Sequence, residues 1–250
     1  MELQLNGRTA LVTGASMGIG RAIARGLAAE GARLAVVARR GELLERLASE
    51  IVGAGGTKPA IIVQDLMAED GARRIAAMAL KALGPVDILV NCAGGSRPMP
   101  LDAPEERWEE ALTLNFTRQR QLTHALLPHM MERRWGRVIN ITGKSEPDKL
   151  NAAFAAKAAV HSWAKGLSRD VGRHGVTVNS IAPGRIISEQ ILRNYPPEDR
   201  KRFSETEIPV GEYGQPEDLA VLAVFLASPL AHYITGTVIP VDGGLRRYQF

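Results

Sequence analysis

Short runs rich in valine and isoleucine alternate along this chain with longer segments whose apolar residues have helical spacing. The runs predict strands over Thr9–Val12, Arg33–Ala38, Ala60–Gln64, Ile88–Asn91, Gly136–Thr142, Thr177–Ala182 and Thr237–Val241. Helices are predicted between them, over Gly20–Glu30, Glu42–Gly53, Glu69–Leu83, Pro104–Arg133, Asn151–Arg173 and Pro216–Ala227. Strands that are apolar on both faces fit a parallel sheet covered by helices on each side. The alternation therefore predicts an α/β fold, a Rossmann-like doubly wound parallel sheet of about seven strands.

The length fits one domain, because 250 residues with 45% hydrophobic and 23% charged content can form one substantial core. One stretch, residues 186–213, lacks clear periodicity and contains Pro196, Pro197 and many charges. It follows a predicted strand at the edge of the sheet where ligands bind in such folds. We therefore interpret residues 1–250 as a single dinucleotide-binding domain with a substrate lid at 186–213.

Composition excludes several classes of partner. The net charge is +4, and the basic residues occur in short pairs separated by acids, so nucleic-acid binding is not expected. The single cysteine, Cys92, lies in an apolar run, which favours a buried structural thiol over a disulfide, a metal site or a nucleophile. The first residues do not resemble a secretion signal, and no apolar stretch approaches membrane-spanning length. We expect a cytoplasmic protein with no metal and no membrane partner.

A glycine-rich segment, Thr13–Gly20, follows the first predicted strand and opens a helix. Gly14 permits a tight turn, while Gly18 and Gly20 allow the backbone to approach a pyrophosphate closely. The helix that follows offers unpaired N–H groups and a positive dipole end to phosphates. A strand, this turn and a helix in that order predict that the chain binds a nicotinamide dinucleotide.

The second predicted strand ends in Val36-Val37-Ala38-Arg39-Arg40, without an acidic residue. A site selective for NAD usually has an acid there, which binds the ribose 2′-hydroxyl. Arg39 is able to pair with a 2′-phosphate instead. The pattern favours NADP over NAD, and the alternative is that Arg39 is an ordinary surface residue.

The glycine-rich turn and several further motifs, which follow one another in the order typical of the family, resemble the short-chain dehydrogenase/reductase family. The resemblance covers essentially the whole chain. The further motifs are Asp65, Asn91-Cys92-Ala93-Gly94, Asn115, Pro183-Gly184 and Val241-Asp242-Gly243-Gly244. The resemblance implies that Asp65 contacts adenine and that Ile186 and Ser188 hold the nicotinamide amide, with Ser188 replacing the usual threonine. The full set of implied cofactor contacts is Gly14, Ser16, Met17, Gly18, Ile19, Gly20, Arg39, Asp65, Leu66, Asn91, Ala93, Gly94, Lys157, Pro183, Gly184, Ile186 and Ser188.

The resemblance breaks at the catalytic groups. Reductases of this family use a serine, a tyrosine and a lysine, with an asparagine in support. Asn115 and Lys157 match as catalytic residues, but Ala153 falls at the tyrosine position and Gly143 at the serine position. Phe154 lies one residue further, about 100° around a helix, so we expect it to point elsewhere.

Replacement groups are available nearby. The loop Lys144–Leu150 contains Lys144 and Ser145, and Lys157 itself would act as a base if burial depressed its pKa. His161 lies one turn beyond Lys157, but its helix leads away from the expected site, so we interpret it as a packed or surface histidine. Cations that follow the sheet's carboxyl end favour an anionic substrate, or are merely solvated; they are Arg97, Lys144, Lys149, Arg185 and Arg193.

Three functions stay open. The first is an NADP-dependent oxidoreductase with an atypical active site, acting on a small carbonyl or alcohol. The second is a cofactor-binding protein without reductase activity, and the third a lyase or isomerase in which Lys157 abstracts a proton. The helices predicted at Pro104–Arg133 and Asn151–Arg173 resemble the family's assembly surface, which implies a homo-oligomer, either a dimer or a tetramer.

Overall fold

The computed structural model describes residues 2–143, 147 and 149–248. Within them, one parallel sheet has the strand order β3-β2-β1-β4-β5-β6-β7. The strands are β1 (Thr9–Thr13), β2 (Arg33–Ala38), β3 (Ala60–Val63), β4 (Ile88–Asn91), β5 (Gly136–Ile141), β6 (Val176–Pro183) and β7 (Val238–Val241). The predicted fold class, a doubly wound parallel sheet, is confirmed.

Helices cover both faces of the sheet. They are α1 (Gly18–Ala29), α2 (Gly41–Gly53), α3 (Gly71–Leu83), α4 (Glu105–Leu112), α5 (Arg118–Glu132), α6 (Ala152–Val171), α7 (Glu189–Asn194), α8 (Pro197–Glu207) and α9 (Pro216–Ala227). Leu27 of α1 and Leu226 of α9 belong to one buried apolar cluster, and Ile75 of α3 and Leu122 of α5 to a second. None of the helices in the described part of the chain is long and apolar enough to cross a membrane.

Each central strand supplies side chains to both clusters, because successive residues of a strand point to opposite faces. In β1, Ala10 and Val12 lie in the first cluster and Leu11 lies in the second. All five residues of β1 are buried. This explains why the strands appear in the sequence as continuous apolar runs rather than as alternating patterns.

Two segments differ from the sequence-based prediction. The single helix expected over Pro104–Arg133 is α4, a π-helical turn at Thr113–Thr117 and α5 in succession. Residues 186–213, which lack apolar periodicity, contain α7 and α8. The polarity of α8 hid it from the sequence analysis, since Ser204 is its one buried residue.

The two ends of the 186–213 segment lie side by side. Ile187 donates its N–H to the Gly214 carbonyl at 2.8 Å, and Gly214 donates to the Arg185 carbonyl at 3.0 Å. Ile186 and Gly214 form an isolated parallel bridge. The segment therefore leaves the sheet and returns to it at one place, which is the geometry of a compact flap.

The order of strands reverses at β1, since the chain builds β2 and β3 on one side and then returns to place β4 on the other. The Thr13 side chain joins the two strands at this point. Its hydroxyl accepts from the N–H groups of Cys92 at 3.0 Å and Ala93 at 3.1 Å, and it donates to the Val90 carbonyl at 3.2 Å. Ligands of open α/β sheets bind in the crevice that such a reversal creates.

Replacing Thr13 with valine will remove the acceptor of two partly buried amides. We expect the free energy of unfolding to fall by about 1–3 kcal/mol, the cost of leaving buried polar groups unpaired. Urea denaturation measures the change. Thr13→Ser keeps the hydroxyl and is the matched control, so equal losses in both variants would contradict this role of the hydroxyl.

Candidate active site

The glycine-rich turn lies where β1 ends, and its glycines are sterically required. Gly14 has φ +66°, and a Cβ on it would lie 2.9 Å from the Ala93 nitrogen. A Cβ on Gly20 would overlap the carbonyl oxygen of Gly14. Gly18 has φ +52°, a conformation that favours glycine, and a Cβ on it would lie 3.8 Å from side-chain atoms of Ser188 and Glu189, which is ordinary contact distance. The first and third glycines thus allow close packing, and the second allows the backbone conformation of the turn.

No side chain of the described residues caps the N-terminus of α1. Met17 is the N-cap residue and makes no side-chain capping hydrogen bond, and the first turn contains no acidic residue. The first N–H groups of a helix need an acceptor and favour an anion. A cleft of about 590 Å³ adjoins them, lined by Ser16, Met17, Gly18 and residues of the flap that include Ile187 and Ser188. The turn and the cleft fit a dinucleotide pyrophosphate.

Arginines surround the far side of this cleft. Arg39 and Arg40 are both exposed, and Arg40 lines the cleft and donates to the Met17 sulfur at 3.2 Å. Arg46 lines the cleft too, and Arg21 is paired with Glu50. Sequence reasoning selected Arg39 and missed Arg40, although the two are neighbours, because the contact with Met17 exists only in the folded chain.

The loop after β4 is held by amide side chains. Asn91 donates to Thr123 Oγ1 at 3.0 Å and to Asn140 Oδ1 at 2.9 Å. Asn115 Oδ1 accepts from the Gly95 N–H at 3.0 Å, and a Cβ on Gly94 would lie 2.9 Å from the same oxygen. The π-helical turn contains Asn115, and such turns occur frequently at functional sites. Asn115 thus shapes the loop that the sequence analysis assigned to the cofactor.

Other predicted contacts lie along the same edge of the sheet. Asp65 accepts from the Met67 N–H at 2.9 Å, and the Leu66 side chain is buried in the second apolar cluster. Gly184 lies against the backbone of Asp242, which a Cβ would approach to 2.6 Å. The Ser188 hydroxyl accepts from Ile191 N–H at 3.3 Å and so caps α7.

Lys157 lies in the first half of α6 and points at the end of β5. Its Nζ donates to the Thr142 carbonyl at 2.8 Å. His161, one turn further, places Nε2 2.8 Å from Thr142 Oγ1. The histidine is packed, as expected, but the reason given for excluding it from the site was wrong. Residues four apart share a helix face, so Lys157 and His161 reach the same residue.

The expectation that Phe154 points elsewhere was wrong. An ideal Cβ on Gly143 would lie 3.6 Å from the Phe154 ring and 3.2 Å from Lys157 Cδ. Residues three apart also share a helix face, so Phe154 and Lys157 project together. Ala153 is buried, and its N–H donates to Asn151 Oδ1 at 3.0 Å. The Phe154 ring therefore gives the Gly143 side of Lys157 an apolar neighbour, while the Lys157 Nζ meets the Thr142 carbonyl.

Asn151 connects two loops of the site and was missed by the sequence analysis. Its Oδ1 caps α6 and accepts from Arg97 N–H at 3.0 Å, while its Nδ2 donates to Ser96 Oγ at 2.8 Å. Asparagine directly before a predicted helix is a typical N-cap, which is the signal that was available.

The expected cation cluster is only partly available to a substrate. Arg97 forms an ion pair with Glu110 at 2.8 Å, with both carboxylate oxygens bonded. Arg185 packs against the Phe203 ring at 4.7 Å and donates to Tyr195 Oη at 3.3 Å. Lys149 and Arg193 are exposed. Lys144 and Ser145 lie outside the described residues.

Comparison with known proteins identifies the family. Residues 14–246 match the family model described as enoyl-(acyl carrier protein) reductase. The 3-oxoacyl-[acyl-carrier-protein] reductase FabG of Aquifex aeolicus is 35% identical over 98% of this chain and 100% of its own length. The chain belongs to the short-chain dehydrogenase/reductase family.

Solved structures agree with this assignment. A 7α-hydroxysteroid dehydrogenase complexed with NADH and 7-oxo glycochenodeoxycholic acid superposes with a TM-score of 0.92 at 32% identity, covering 97% of this chain and 96% of that one. The complex of Pseudomonas aeruginosa RhlG with NADP has a TM-score of 0.89 at 36% identity, covering 98% of each chain. Members of the family with this fold thus include complexes with either nicotinamide dinucleotide.

Burial controls the protonation of the groups around Thr142 in this member of the family. Burial lowers the pKa of Lys157, and the nearby Cys92 opposes that change. Burial raises the pKa of Cys92 to about 12, which fits the expected unreactive thiol. Burial and then the charges of Lys157 and Arg246 lower the pKa of His161. Thr142 donates its hydroxyl proton to the Ile181 carbonyl at 3.1 Å, so a neutral His161 donates from Nε2 to Thr142.

The lowered pKa of His161 predicts that the free energy of unfolding depends on pH. The unfolded chain protonates this histidine near the usual value of 6.5, above the folded value. The free energy of unfolding should therefore fall as the pH decreases below about 6.5. His161→Gln keeps a donor without a titrating group, so urea denaturation should show a smaller loss of stability between about pH 7.5 and about pH 5.5. His232→Gln, which removes an exposed histidine, is the control; identical losses in the wild type and His161→Gln would contradict the prediction.

Proposed function

We propose that this protein is an NADP(H)-dependent oxidoreductase with an atypical active site that interconverts a carbonyl and an alcohol. The uncapped N-terminus of α1, which adjoins the cleft beside Gly18, is the observation that carries the proposal. The relatives' activities support it, since the curated matches are reductases and dehydrogenases. When bound, the nicotinamide ring accepts or donates a hydride.

The cofactor contacts follow the carboxyl edge of the sheet. Asp65 and the backbone of Leu66 would bind the adenine end, and Arg39 a 2′-phosphate, with Arg40 as a second donor. The pyrophosphate would lie on the glycine-rich turn, contacted by Gly14, Ser16, Met17, Gly18, Ile19 and Gly20. The nicotinamide end would be held by Asn91, Ala93, Gly94, Lys157, Pro183, Gly184, Ile186 and Ser188.

Lys157 and Asn115 are the proposed catalytic residues. Lys157 would bind the nicotinamide ribose, and its lowered pKa would allow it to release a proton. Asn115 would order the loop at Gly94 and a water beside it. Ala153 and Gly143 supply no hydroxyl, so the reacting oxygen would exchange its proton with water. A missing general acid typically costs about 10²–10⁴-fold in rate, which leaves room for slow turnover.

The proposed function also includes a substrate lid, an oligomeric state and a cellular location. The flap at 186–213 would close over a small-molecule substrate, and Lys149 and Arg193 would attract an anionic one. We expect a cytoplasmic homo-oligomer, either a dimer or a tetramer, assembled through α4, α5 and α6. These expectations rest on the resemblance to the family.

One observation favours a second function, a cofactor-binding protein without reductase activity. The Phe154 ring lies over Gly143 beside Lys157, where a reductase needs polar groups to meet the substrate oxygen. A Lys157-based lyase or isomerase would meet the same obstacle and lacks the support that the relatives' activities give to the oxidoreductase, so we rank it below both.

Cofactor choice will test the arginine assignment. Arg39→Ala should weaken NADPH binding about 10-fold or more while it leaves NADH binding almost unchanged, because a charge-assisted contact to the 2′-phosphate is lost. The same measurement on Arg40→Ala reports whether the second arginine shares the role. Binding is measured from the fluorescence of NADPH and NADH. Equal weakening of both cofactors would reject the 2′-phosphate assignment for that arginine.

The missing hydroxyls can be restored. Ala153→Tyr with Gly143→Ser and Phe154→Ala adds both groups and removes the ring that covers Gly143. We expect this triple variant to oxidise NADPH against a panel of carbonyl compounds at least about 10²-fold faster than its matched control, in which residue 153 becomes phenylalanine. Both triple variants must bind NADPH. Equal rates would show that a hydroxyl at 153 does not reach the substrate.

A separate experiment compares the rate of NADPH oxidation by the wild type with that by Lys157→Ala. A wild-type rate that Lys157→Ala leaves unchanged would reject the oxidoreductase proposal.

A further inference from the structure

Glu189 is an acid in a place where the proposed function needs a phosphate. It is the first residue of α7 and lines the same cleft as Ser16, Met17 and Gly18. Its Oε2 lies 3.8 Å from the position that a Cβ on Gly18 would occupy. The flap thus brings a negative charge to the turn that we assign to the pyrophosphate.

Arg21, Arg40 and Arg46 line the same cleft, but none of them forms an ion pair with this carboxylate. Among the described residues Glu189 forms no ion pair, and the nearby Arg21 is paired with Glu50. Arg40, also in the cleft, donates to the sulfur of Met17. An exposed acid normally needs no partner, but this one lies next to unpaired N–H groups at a helix N-terminus, which attract negative charge.

We propose that Glu189 competes with the cofactor for the N-terminus of α1 and so sets the affinity of the site for the dinucleotide. The inference rests on the proposed function. Without cofactor, the carboxylate partly satisfies the positive end of the helix. A pyrophosphate brings two negative charges to the same place, so binding expels Glu189.

The competition links the cofactor to the flap. Ser188 caps α7 through Ile191, so residue 189 is held in the first turn of a short helix rather than on a free loop. Moving the carboxylate away from Gly18 requires a change of the Glu189 side chain or of α7 itself. Each dinucleotide that binds therefore displaces a group of the flap, and the protein releases its cofactor more readily than the turn alone would allow.

The test is a change that improves binding, which a damaged fold does not produce. Glu189→Gln removes the charge and keeps the shape. NADPH binding to the full chain, measured by fluorescence titration, should tighten about 3- to 10-fold at low ionic strength, and the gain should shrink as salt is added. Glu198→Gln makes the same change in charge at an exposed position of α8 and should leave NADPH binding unchanged.

A second ligand shows whether the change in affinity arises at the pyrophosphate. Adenosine 2′-monophosphate has no pyrophosphate, so its affinity should be the same for wild type and Glu189→Gln. Equal or weaker binding of NADPH by Glu189→Gln would overturn the inference, as would an equal gain in Glu198→Gln or with adenosine 2′-monophosphate. If the proposed function is wrong, the result is distinguishable, because wild type and both variants then bind neither NADPH nor NADH. That result would reject the inference as well.

Discussion

The hydroxyl of Thr13 is the contact on which the architecture of the site depends. It joins β1 to the loop after β4, the two elements on either side of the reversal in strand order. Gly14 follows at once, packed against the Ala93 backbone so closely that a side chain would not fit. One side chain and one glycine thereby fix the turn and the loop against each other. The cleft adjoins this turn, and Asn115 bonds to the same loop at Gly95.

Much of this fold could be predicted from the sequence, because parallel strands covered on both faces must be apolar at successive positions. The predicted bounds of β2 and β4 match the observed ones, and those of the other five strands agree within one residue at each end. The flap helices could not be found in this way. Helix α8 buries little apolar surface, so it lacks the periodic stripe by which a helix is recognised. The π-helical turn at Thr113–Thr117 has no sequence signature, since it adds one residue to an otherwise regular helix.

The same difference separates the parts of the candidate site that the sequence predicts from those that it does not. The glycine-rich turn could be predicted because its steric requirements act on residues that are neighbours in the sequence. The contact of His161 with Thr142 spans 19 positions and that of Asn151 with Ser96 spans 55, so only the folded chain shows them. Phe154 was misplaced for a different reason. A tyrosine of this family lies four residues before the lysine, but a residue three before Lys157 shares the same helix face equally well.

Whether a charged side chain of the site is available to a ligand depends more on its partners in the folded chain than on how many charged residues the sequence has there. Arg97 is neutralised by Glu110, and Arg185 lies among aromatic rings, so neither offers the charge to a substrate that the sequence suggests. Lys157 is the opposite case, because its buried ammonium donates to the Thr142 carbonyl rather than to a carboxylate. Burial lowers the pKa of Lys157 and so favours its neutral form, and a bound anion would oppose that effect. The charge of Lys157 is therefore controlled by its burial, whereas the charges of Arg97 and Arg185 are controlled by their partners.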